Sequence, residues 1–482
     1  MISTLLMPGF EGTVLPEWLA QRLRDGLGGV CLFSMNITSR EQLRELTASI
    51  LAANPAAIIS IDEEGGDVSR LYEAQGSPFP GNAVLGRLAD ADLTYRVGAQ
   101  VGWELRDAGV GLALAPDADV NSNPLNPVIG VRSFGTDAAQ VATHVAAWTR
   151  GLEATGVASC AKHFPGHGDT AADSHHALPV ITATAHELRD RELVPFRAAI
   201  AAGARTVMTS HIVVEALDPE RPATFSRAIL NDLLRQELGF DGVIVTDALD
   251  MAGASGEIGI PAAAVAAIAA GADLLCIGTR NTDEQIGQIV SAINVALADG
   301  TIPSVAVPGA AARVRALGLE LRRERDANEA PEGLELGGVA GLTLARVAEA
   351  FHVSDTARDL LSRSSGRPLA WIAIETAPNM AVGAAPWGPF ADGVEPTGTI
   401  SADSQGPLSL PEGALAVVVG KDLHRHSFAA DAVAALRERG DVVVVDMGWP
   451  EPSFAGVDIA TFGASRLVGA ALLEQIGRES CA

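Results

Sequence analysis

Lysine is almost absent from this chain, since only Lys162 and Lys421 occur among 482 residues. Basic residues number 34 against 59 acidic ones, which gives a formal net charge of −25 at neutral pH. A protein that binds a nucleic-acid backbone needs a basic surface that releases counterions from the phosphates. The composition therefore predicts that nucleic acid is not a partner.

Cysteine is scarce as well, and Cys31, Cys160, Cys276 and Cys481 are widely spaced without any C-x-x-C pair. This spacing predicts reduced, buried thiols rather than disulfides. The sequence has no apolar run of membrane-spanning length, and its first residues, MISTLLMPGFEGTVLPEW, lack the basic and apolar regions of a signal peptide. We therefore expect a cytoplasmic protein without a membrane partner.

Short apolar runs that are typical of strands alternate with amphipathic segments between residues 1 and about 300. This alternation predicts repeated βα units, and eight candidate strands predict a closed (β/α)₈ TIM-like barrel. The candidate strands are residues 4–9, 29–33, 57–62, 111–119, 156–164, 205–211, 241–247 and 272–278. The candidate helices between them include residues 39–52, 92–108, 137–154, 184–202 and 260–270.

A charged stretch with proline and glycine, between residues 318 and 336, is typical of a helix end followed by a linker. We therefore predict a barrel catalytic domain over 1–330 and a smaller α/β sandwich domain over 331–482. The candidate strands of the second domain are 368–375, 414–420 and 441–448, with a helix over 429–440. This domain contains no recognisable chemical motif, so we expect a scaffold role or a homodimer contact.

Functional groups of a barrel cluster where its strands end, at the carboxyl-terminal face. Five candidate strands end in charged or hydrogen-bonding side chains. These are Asp62-Glu63-Glu64, Asp117 with Asp119, Lys162-His163, Ser210-His211, and Asp247. We therefore expect a polar site at this face of the barrel.

The densest group of such residues is KHFPGHGDTAADSHHALP, residues 162–179, where a strand ends in a loop with four histidines and two aspartates. This string resembles the signature loop of bacterial β-N-acetylglucosaminidases of glycoside hydrolase family 3, the NagZ-type enzymes, in their two-domain form. Further matching stretches occur in the family's order over roughly residues 1–320. They are IDEEGGDVSRL (61–71), FPGNAVLG (79–86), DVNSNPLNPVIGVRSFG (119–135), VMTSHI (207–212), PATFS (222–226) and LRQELGFDGVIVTDALDM (234–251).

The resemblance implies that Asp247 is the nucleophile of a retaining mechanism with a covalent glycosyl-enzyme. Without the resemblance, Asp247 could equally cap the following helix. The resemblance also implies that His175, held by Asp173, is the acid/base, a role for which an imidazole titrating near neutrality is suited. His176 adjoins it, but the spacing of the family's pattern selects His175.

The family's substrate-binding positions correspond here to charged side chains that can clamp sugar hydroxyls. They are Asp62, Arg70, Arg132, Lys162 and His163, with His211 and Asp119 in supporting positions. The chain departs from the common family pattern at Glu63 and Asp67, where glutamine and arginine are usual. These two acidic residues could alter the electrostatics of the cleft.

The expected reaction is removal of terminal, non-reducing β-linked N-acetylglucosamine from small soluble glycosides, such as muropeptide fragments, without a cofactor. Inorganic phosphate could replace water as acceptor, because a histidine donor repels phosphate less than a carboxylate would. A family 3 β-glucosidase and a catalytically silent sugar-binding protein are further alternatives. His163 and His167 have the i, i+4 spacing of metal ligands on a helix, but the intervening Phe-Pro-Gly is not helical, so we expect no metal.

Overall fold

The computed structural model describes residues 1–170, 178–327, 330–376, 381–383, 385–404 and 408–479. Within these ranges, the first part of the chain contains eight strands that each lie inside one of the predicted segments. They are β1 Leu6–Pro8, β2 Gly29–Cys31, β3 Ile58–Ile61, β4 Leu112–Ala113, β5 Cys160–Phe164, β6 Thr206–Thr209, β7 Val243–Val245 and β8 Leu275–Gly278. The prediction of a TIM-like barrel is thus confirmed.

The eight strands follow one another around the barrel in chain order. Parallel ladders join β2 to β3 and β4, β5 to β6 and β7, and β8 to β1. Parallel bridges between Leu112 and Ala158 and between Val245 and Leu274 connect these ladders. Beside β1 and β2, the Gly28 amide donates a hydrogen bond to the Ser3 carbonyl over 3.0 Å. The polar residues at the strand ends are therefore brought to one face.

The barrel interior is filled by apolar and sulfur-containing side chains, because each strand of a parallel barrel is buried on both faces. Met7, Met208 and Val245 belong to this interior cluster. So do Cys31, Cys160 and Cys276, which are free and buried, as predicted. Cys481 lies outside the described residues.

Helices surround the barrel at the predicted positions. The longer ones are Glu17–Arg24, Arg40–Ala53, Ala91–Asp107, Ala138–Glu153, Leu193–Ala201, Ile260–Ala270, Asp283–Ala298 and Ala306–Ala327. Shorter ones are Asn82–Leu88, Ala185–Glu187 and Ala252–Ser255, and Leu188–Glu192 and Ala228–Glu237 are π-helical. Several begin where a side chain caps the first turn, as Ser39, Asp90, Asp137 and Thr282 do.

A small sheet that the sequence patterns did not predict lies beside the barrel. Val180–Ile181 pairs in parallel with Val213–Val214, which pairs in antiparallel fashion with Asp218–Pro222. Among the described residues, every helix is too short or too polar to cross a lipid bilayer.

The C-terminal sandwich, residues 344–479, is a sheet with helices on both faces. In the described part its strands are β9 His352–Val353, β10 Leu369–Ile374, β11 Gly398–Ile400, β12 Leu415–Gly420, β13 Val442–Asp446 and β14 Ile459–Ala460. Their order is β9-β14-β13-β12-β10-β11, and the β9–β14 pair alone is antiparallel. The helices are Leu344–Ala348, Asp355–Arg363, Ser427–Arg437 and Arg466–Glu479. The predicted smaller α/β unit is confirmed, although the sequence patterns indicated only three of these strands.

The barrel and the C-terminal sandwich are in direct contact. Val84 of the barrel belongs to the hydrophobic core of the sandwich. The Arg87 guanidinium lies 3.8 Å from the centroid of the Phe462 ring, and its Nε donates to the Ala350 carbonyl over 2.6 Å. We propose a domain division near residue 330, because the last barrel helix ends at Ala327, before the first helix of the sandwich.

Candidate active site

A pocket of about 610 Å³ lies at the carboxyl-terminal ends of the barrel strands. Every described residue that the sequence analysis assigned to catalysis or sugar binding lines this pocket. These residues are Asp62, Arg70, Arg132, Lys162, His163 and Asp247. Strand ends therefore converge on one site, as a parallel barrel requires.

Lys162 is 2% exposed, and its Nζ lies 2.7 Å from Asp62 Oδ1 and 2.8 Å from Glu64 Oε1. Burial would lower the pKa of Lys162, but the two carboxylates hold it above its usual value. Burial likewise would raise the pKa of Glu64, and the opposing charges of Arg132 and Lys162 hold it well below its usual value. Lysine and glutamate therefore both remain charged although they are buried.

Arg132 donates two parallel hydrogen bonds to the Glu64 carboxylate. Its Nε donates to Oε2 over 3.0 Å and its Nη2 to Oε1 over 2.8 Å. The same Nη2 lies 3.4 Å from Nε2 of His163. Such bidentate pairing fixes the plane of the guanidinium, so the Glu64 carboxylate holds both Arg132 and Lys162 in place.

Asp119 orients the other side of the His163 ring, whose Nδ1 lies 2.8 Å from Asp119 Oδ2. The backbone amide of His167 donates to Asp119 Oδ1 over 2.6 Å. Burial raises the pKa of Asp119, but the neighbouring His163 lowers it to below the usual value. Burial and the Asp119 charge together raise the pKa of Asp117 well above its usual value. The charged form is therefore disfavoured at Asp117 and favoured at Asp119.

Asp117, Asp119 and His163 lie close enough together to hold a metal ion, with ligand atoms within 4.8 Å of one another. Two of these atoms are already paired, however, and Nη2 of Arg132 lies 3.8 Å from Asp117 Oδ2. A guanidinium at this distance opposes a cation. His167 does not belong to this group of described residues, and its Nδ1 lies 2.8 Å from Thr170 Oγ1. The expectation of no metal stays a prediction.

Asp247 follows β7 after one intervening residue, Thr246, and is partly buried in the pocket wall. Its Oδ1 accepts a hydrogen bond from the Ala248 amide over 2.8 Å. The next helix begins only at Ala252, so Asp247 does not cap it. His211 supports this turn, because its Nε2 lies 3.0 Å from the Ala248 carbonyl oxygen while Nδ1 contacts Thr224 Oγ1 over 2.9 Å.

The predicted acid/base pair, Asp173 and His175, lies outside the described residues, as does His176. The described start of their loop is held by His167 and Thr170, whose contacts are given above. The assignment of the pair to proton transfer therefore stays a prediction.

Some residues that line the pocket, or that contact the side chains lining it, were not predicted to bind sugar. Glu64 and Asp117 stand at predicted strand ends, and that position was the signal available for them. Asp250 joins the loops after β7 and β8, because its Oδ2 accepts from the Thr279 amide over 2.7 Å. Ala381 also lines the pocket, although it belongs to the C-terminal sandwich. No local sequence pattern indicates that Ala381 belongs to the site.

Comparison with known proteins agrees with this geometry. A family model described as "Glycosyl hydrolase family 3 N terminal domain" matches residues 4–317. Beta-hexosaminidase A of Pseudoalteromonas piscicida is 39% identical over 294 residues, which are 56% of this chain and 49% of the relative. The chain therefore spans about half the length of this relative.

Beta-hexosaminidase of Stenotrophomonas maltophilia is 38% identical over 284 residues, which are 57% of this chain and 83% of the relative. The solved structure of a glycoside hydrolase family 3 β-N-acetylglucosaminidase from Paenibacillus sp. has a TM-score of 0.84 and 30% identity. That similarity covers 99% of this chain and 96% of the other. The chain belongs to glycosyl hydrolase family 3.

Proposed function

We propose that this protein is a retaining exo-β-N-acetylglucosaminidase with Asp247 as its nucleophile. The observation that carries the proposal is the position of Asp247, which lies just after β7 and shares one pocket with Arg132 and with the salt-bridged pair of Asp62 and Lys162. The names of the relatives, β-hexosaminidases and a β-N-acetylglucosaminidase, support the same substrate class.

The proposed reaction has two displacements at the anomeric carbon. In the first, a carboxylate oxygen of Asp247 bonds to the anomeric carbon while His175, held by Asp173, protonates the departing glycosidic oxygen. In the second, His175 takes a proton from water, whose oxygen attacks the same carbon and releases Asp247. Two inversions retain the β configuration.

Sugar hydroxyls would be held by charged groups that neighbouring side chains already fix. Lys162 and Arg132 are held by Glu64, and His163 is held by Asp119. Groups that do not have to reorganise when the sugar binds lose less free energy in binding and in the transition state. Together with Asp62 and Arg70, these side chains form the proposed sugar-binding site.

We propose small soluble glycosides with a terminal β-linked N-acetylglucosamine, such as muropeptide fragments, as substrates. Cys31, Met208 and Cys276 of the barrel interior line the pocket, so the pocket has a closed base. A chain end can enter such a pocket, whereas the middle of a polysaccharide cannot pass through it. Cytoplasmic location, a role in cell-wall recycling and a homodimer remain predictions.

Water is the proposed acceptor. Lys162 and Arg132 are both paired with carboxylates, so neither is a free charge for inorganic phosphate. Appearance of N-acetylglucosamine 1-phosphate in phosphate buffer, in place of the free sugar, would contradict hydrolysis.

The stereochemical course tests the proposed mechanism. An aryl N-acetyl-β-glucosaminide is mixed with the enzyme, and the first anomer of the released sugar is read by proton NMR. We expect the β anomer first, followed by slow mutarotation. The α anomer as first product would overturn the retaining mechanism, and faster turnover of the matching aryl β-glucoside would overturn the assigned sugar.

The leaving group tests the role of His175. For a sugar leaving group, His175→Ala should lower kcat/KM by about 10²–10⁴-fold, because proton transfer to the leaving oxygen is lost. A strongly acidic phenol needs little protonation, so the loss should be much smaller with it. Equal losses for both substrates would contradict the assignment, and His176→Ala is the matched control.

A further inference from the structure

The C-terminal sandwich contacts two barrel segments that carry pocket residues: residues 62–71, with Asp62 and Arg70, and residues 121–132, with Arg132. The first contact is made by Ala381, whose carbonyl oxygen accepts a hydrogen bond from Nη2 of Arg70 over 2.8 Å. Ala381 also lines the pocket itself. The sandwich thus forms part of the wall of a site that is otherwise built by the barrel.

Asp67 makes a second contact within residues 62–71. Its Oδ1 accepts a hydrogen bond from the Ala464 amide of the sandwich over 2.8 Å. Burial raises the pKa of Asp67, and the charge of Lys421 acts in the opposite direction. Lys421 lies against Trp387, with Nζ 4.9 Å from the ring centroid. A carboxyl group of the barrel therefore interacts with two groups of the sandwich, the Ala464 amide and the Lys421 charge.

Arg425 makes the corresponding contact with residues 121–132. Its Nη2 donates to the carbonyl oxygen of Pro124 over 3.2 Å and also to that of Asn126. It is thus a charged side chain of the sandwich that holds two carbonyl groups of one barrel loop. Hydrogen bonds from a charged donor are stronger than those between neutral groups.

Asn126 connects the Arg425 contact to the pocket. Its Oδ1 accepts from the amides of Val128 and Ile129, over 2.9 and 2.8 Å. Its Nδ2 donates to the His167 carbonyl over 2.8 Å. The turn continues to Arg132, whose amide donates to the Ile129 carbonyl over 2.9 Å. Arg425 is therefore connected by hydrogen bonds to the backbone of two pocket residues.

We propose that Arg425 is a positioning residue of the sugar-binding pocket, which holds the loop of residues 121–132 so that Arg132 and His167 keep their places. Loops over a barrel are mobile unless contacts restrain them, and Arg425 supplies such contacts from outside the barrel. The C-terminal sandwich is then a component of the sugar site and more than a scaffold. The kinetic part of this inference rests on the proposed function.

The kinetic test compares Arg425→Met with Arg437→Met on an aryl N-acetyl-β-glucosaminide. In the described part of the chain, Arg437 donates hydrogen bonds to Asp458 and Gly456 of the sandwich, which makes it a matched control. For Arg425→Met we expect KM to rise about ten-fold, which corresponds to the loss of charge-assisted hydrogen bonds, with kcat within about two-fold. Arg425→Lys should recover part of this loss. A merely structural defect would lower kcat through a smaller active fraction and leave KM unchanged.

Hydrogen–deuterium exchange provides a measurement that does not depend on activity. In Arg425→Met the amides of residues 121–132 should exchange faster than in the wild type, whereas in Arg437→Met they should not. Unchanged exchange in these residues, or an unchanged KM in an active variant, would overturn the inference. If the wild type fails to hydrolyse the substrate, the proposed function fails, and the exchange data alone decide the role of Arg425.

Discussion

Glu63 lies between Asp62 and Glu64 in the chain, and its side chain is fully buried. Its Oε2 accepts hydrogen bonds from Ser69 Oγ and from the amides of Arg70 and Leu71, each over 3.0 Å. These bonds hold the backbone of Arg70, so Glu63 supports the sugar site from behind. Burial raises the pKa of Glu63 to about 7, although the three hydrogen bonds act against this change.

The pH dependence of the free energy of unfolding tests the burial of Glu63. Between pH 4.5, the ordinary pKa of a glutamate, and about pH 7, the folded protein holds the Glu63 proton more tightly than the unfolded chain does. The resulting stabilisation is present at acidic pH and is lost as the pH rises through 7. Glu63→Gln keeps an acceptor oxygen and cannot ionise. Its free energy of unfolding relative to the wild type should therefore increase by roughly 2–3 kcal/mol between pH 5 and pH 9.

Urea unfolding at the two pH values measures this difference. Glu45→Gln is the control, because Glu45 is an exposed residue of the helix Arg40–Ala53, and its effect should not change with pH. A pH-independent difference between Glu63→Gln and the wild type would contradict the buried, protonated state.

At the scale of residues, the sequence predicted which side chains meet but not how they are paired. Asp62, Lys162 and Asp247 follow from their places at strand ends. The central role of Glu64 could not be predicted in this way. Glu63 stands at the same predicted strand end, yet its side chain turns away from the pocket. Tertiary packing decides which of the two adjacent carboxyl groups pairs with Arg132 and Lys162. It also decides which one is buried without a cationic partner among the described residues.

At the scale of elements, the eight barrel strands were predicted because each lies in or at the end of an apolar run, as expected for strands buried on both faces. The strands that the sequence patterns did not indicate are short or lack such a run. β9 and β14 have two residues each, and Asp218–Pro222 is largely exposed and polar. Their pairing depends on neighbours distant in sequence, and no local periodicity reports it.

In the last barrel helix, Ala306–Ala327, the effect of side-chain packing on stability can be compared with that of helix propensity. A methyl group added at Gly318 would clash with the carbonyl oxygen of Ala56, whereas one added at Gly309 would make only ordinary contacts, 3.8 Å from Arg313. Alanine forms helices better than glycine by about 1 kcal/mol. Gly309→Ala should therefore raise the free energy of unfolding by up to about 1 kcal/mol, whereas Gly318→Ala should lower it by about 1–3 kcal/mol.

Chemical denaturation of the two variants measures this pair of effects. The same residue change in the same helix should give opposite signs. Equal stabilisation by both substitutions would contradict the close contact between this helix and the carbonyl group of Ala56.

At the scale of the whole molecule, the barrel and the sandwich share one pocket. Arg70 and Ala381 are 311 positions apart in the chain, and their hydrogen bond is part of the site. The sequence predicted the sandwich as a separate α/β unit and gave no indication of this contact. A local sequence pattern predicts the secondary structure of its own segment. The contacts between distant segments depend on tertiary packing, which such a pattern does not predict.

The central claim is a covalent sugar ester on Asp247, and labelling of the intact protein tests it most directly. The enzyme is incubated with a fluorinated N-acetylglucosaminyl inactivator, digested with trypsin and mapped by tandem mass spectrometry. We predict a single label on the peptide of residues 236–280, at Asp247, and no label in Asp247→Ala. A label on another carboxylate, or turnover that persists in Asp247→Ala, would contradict the account.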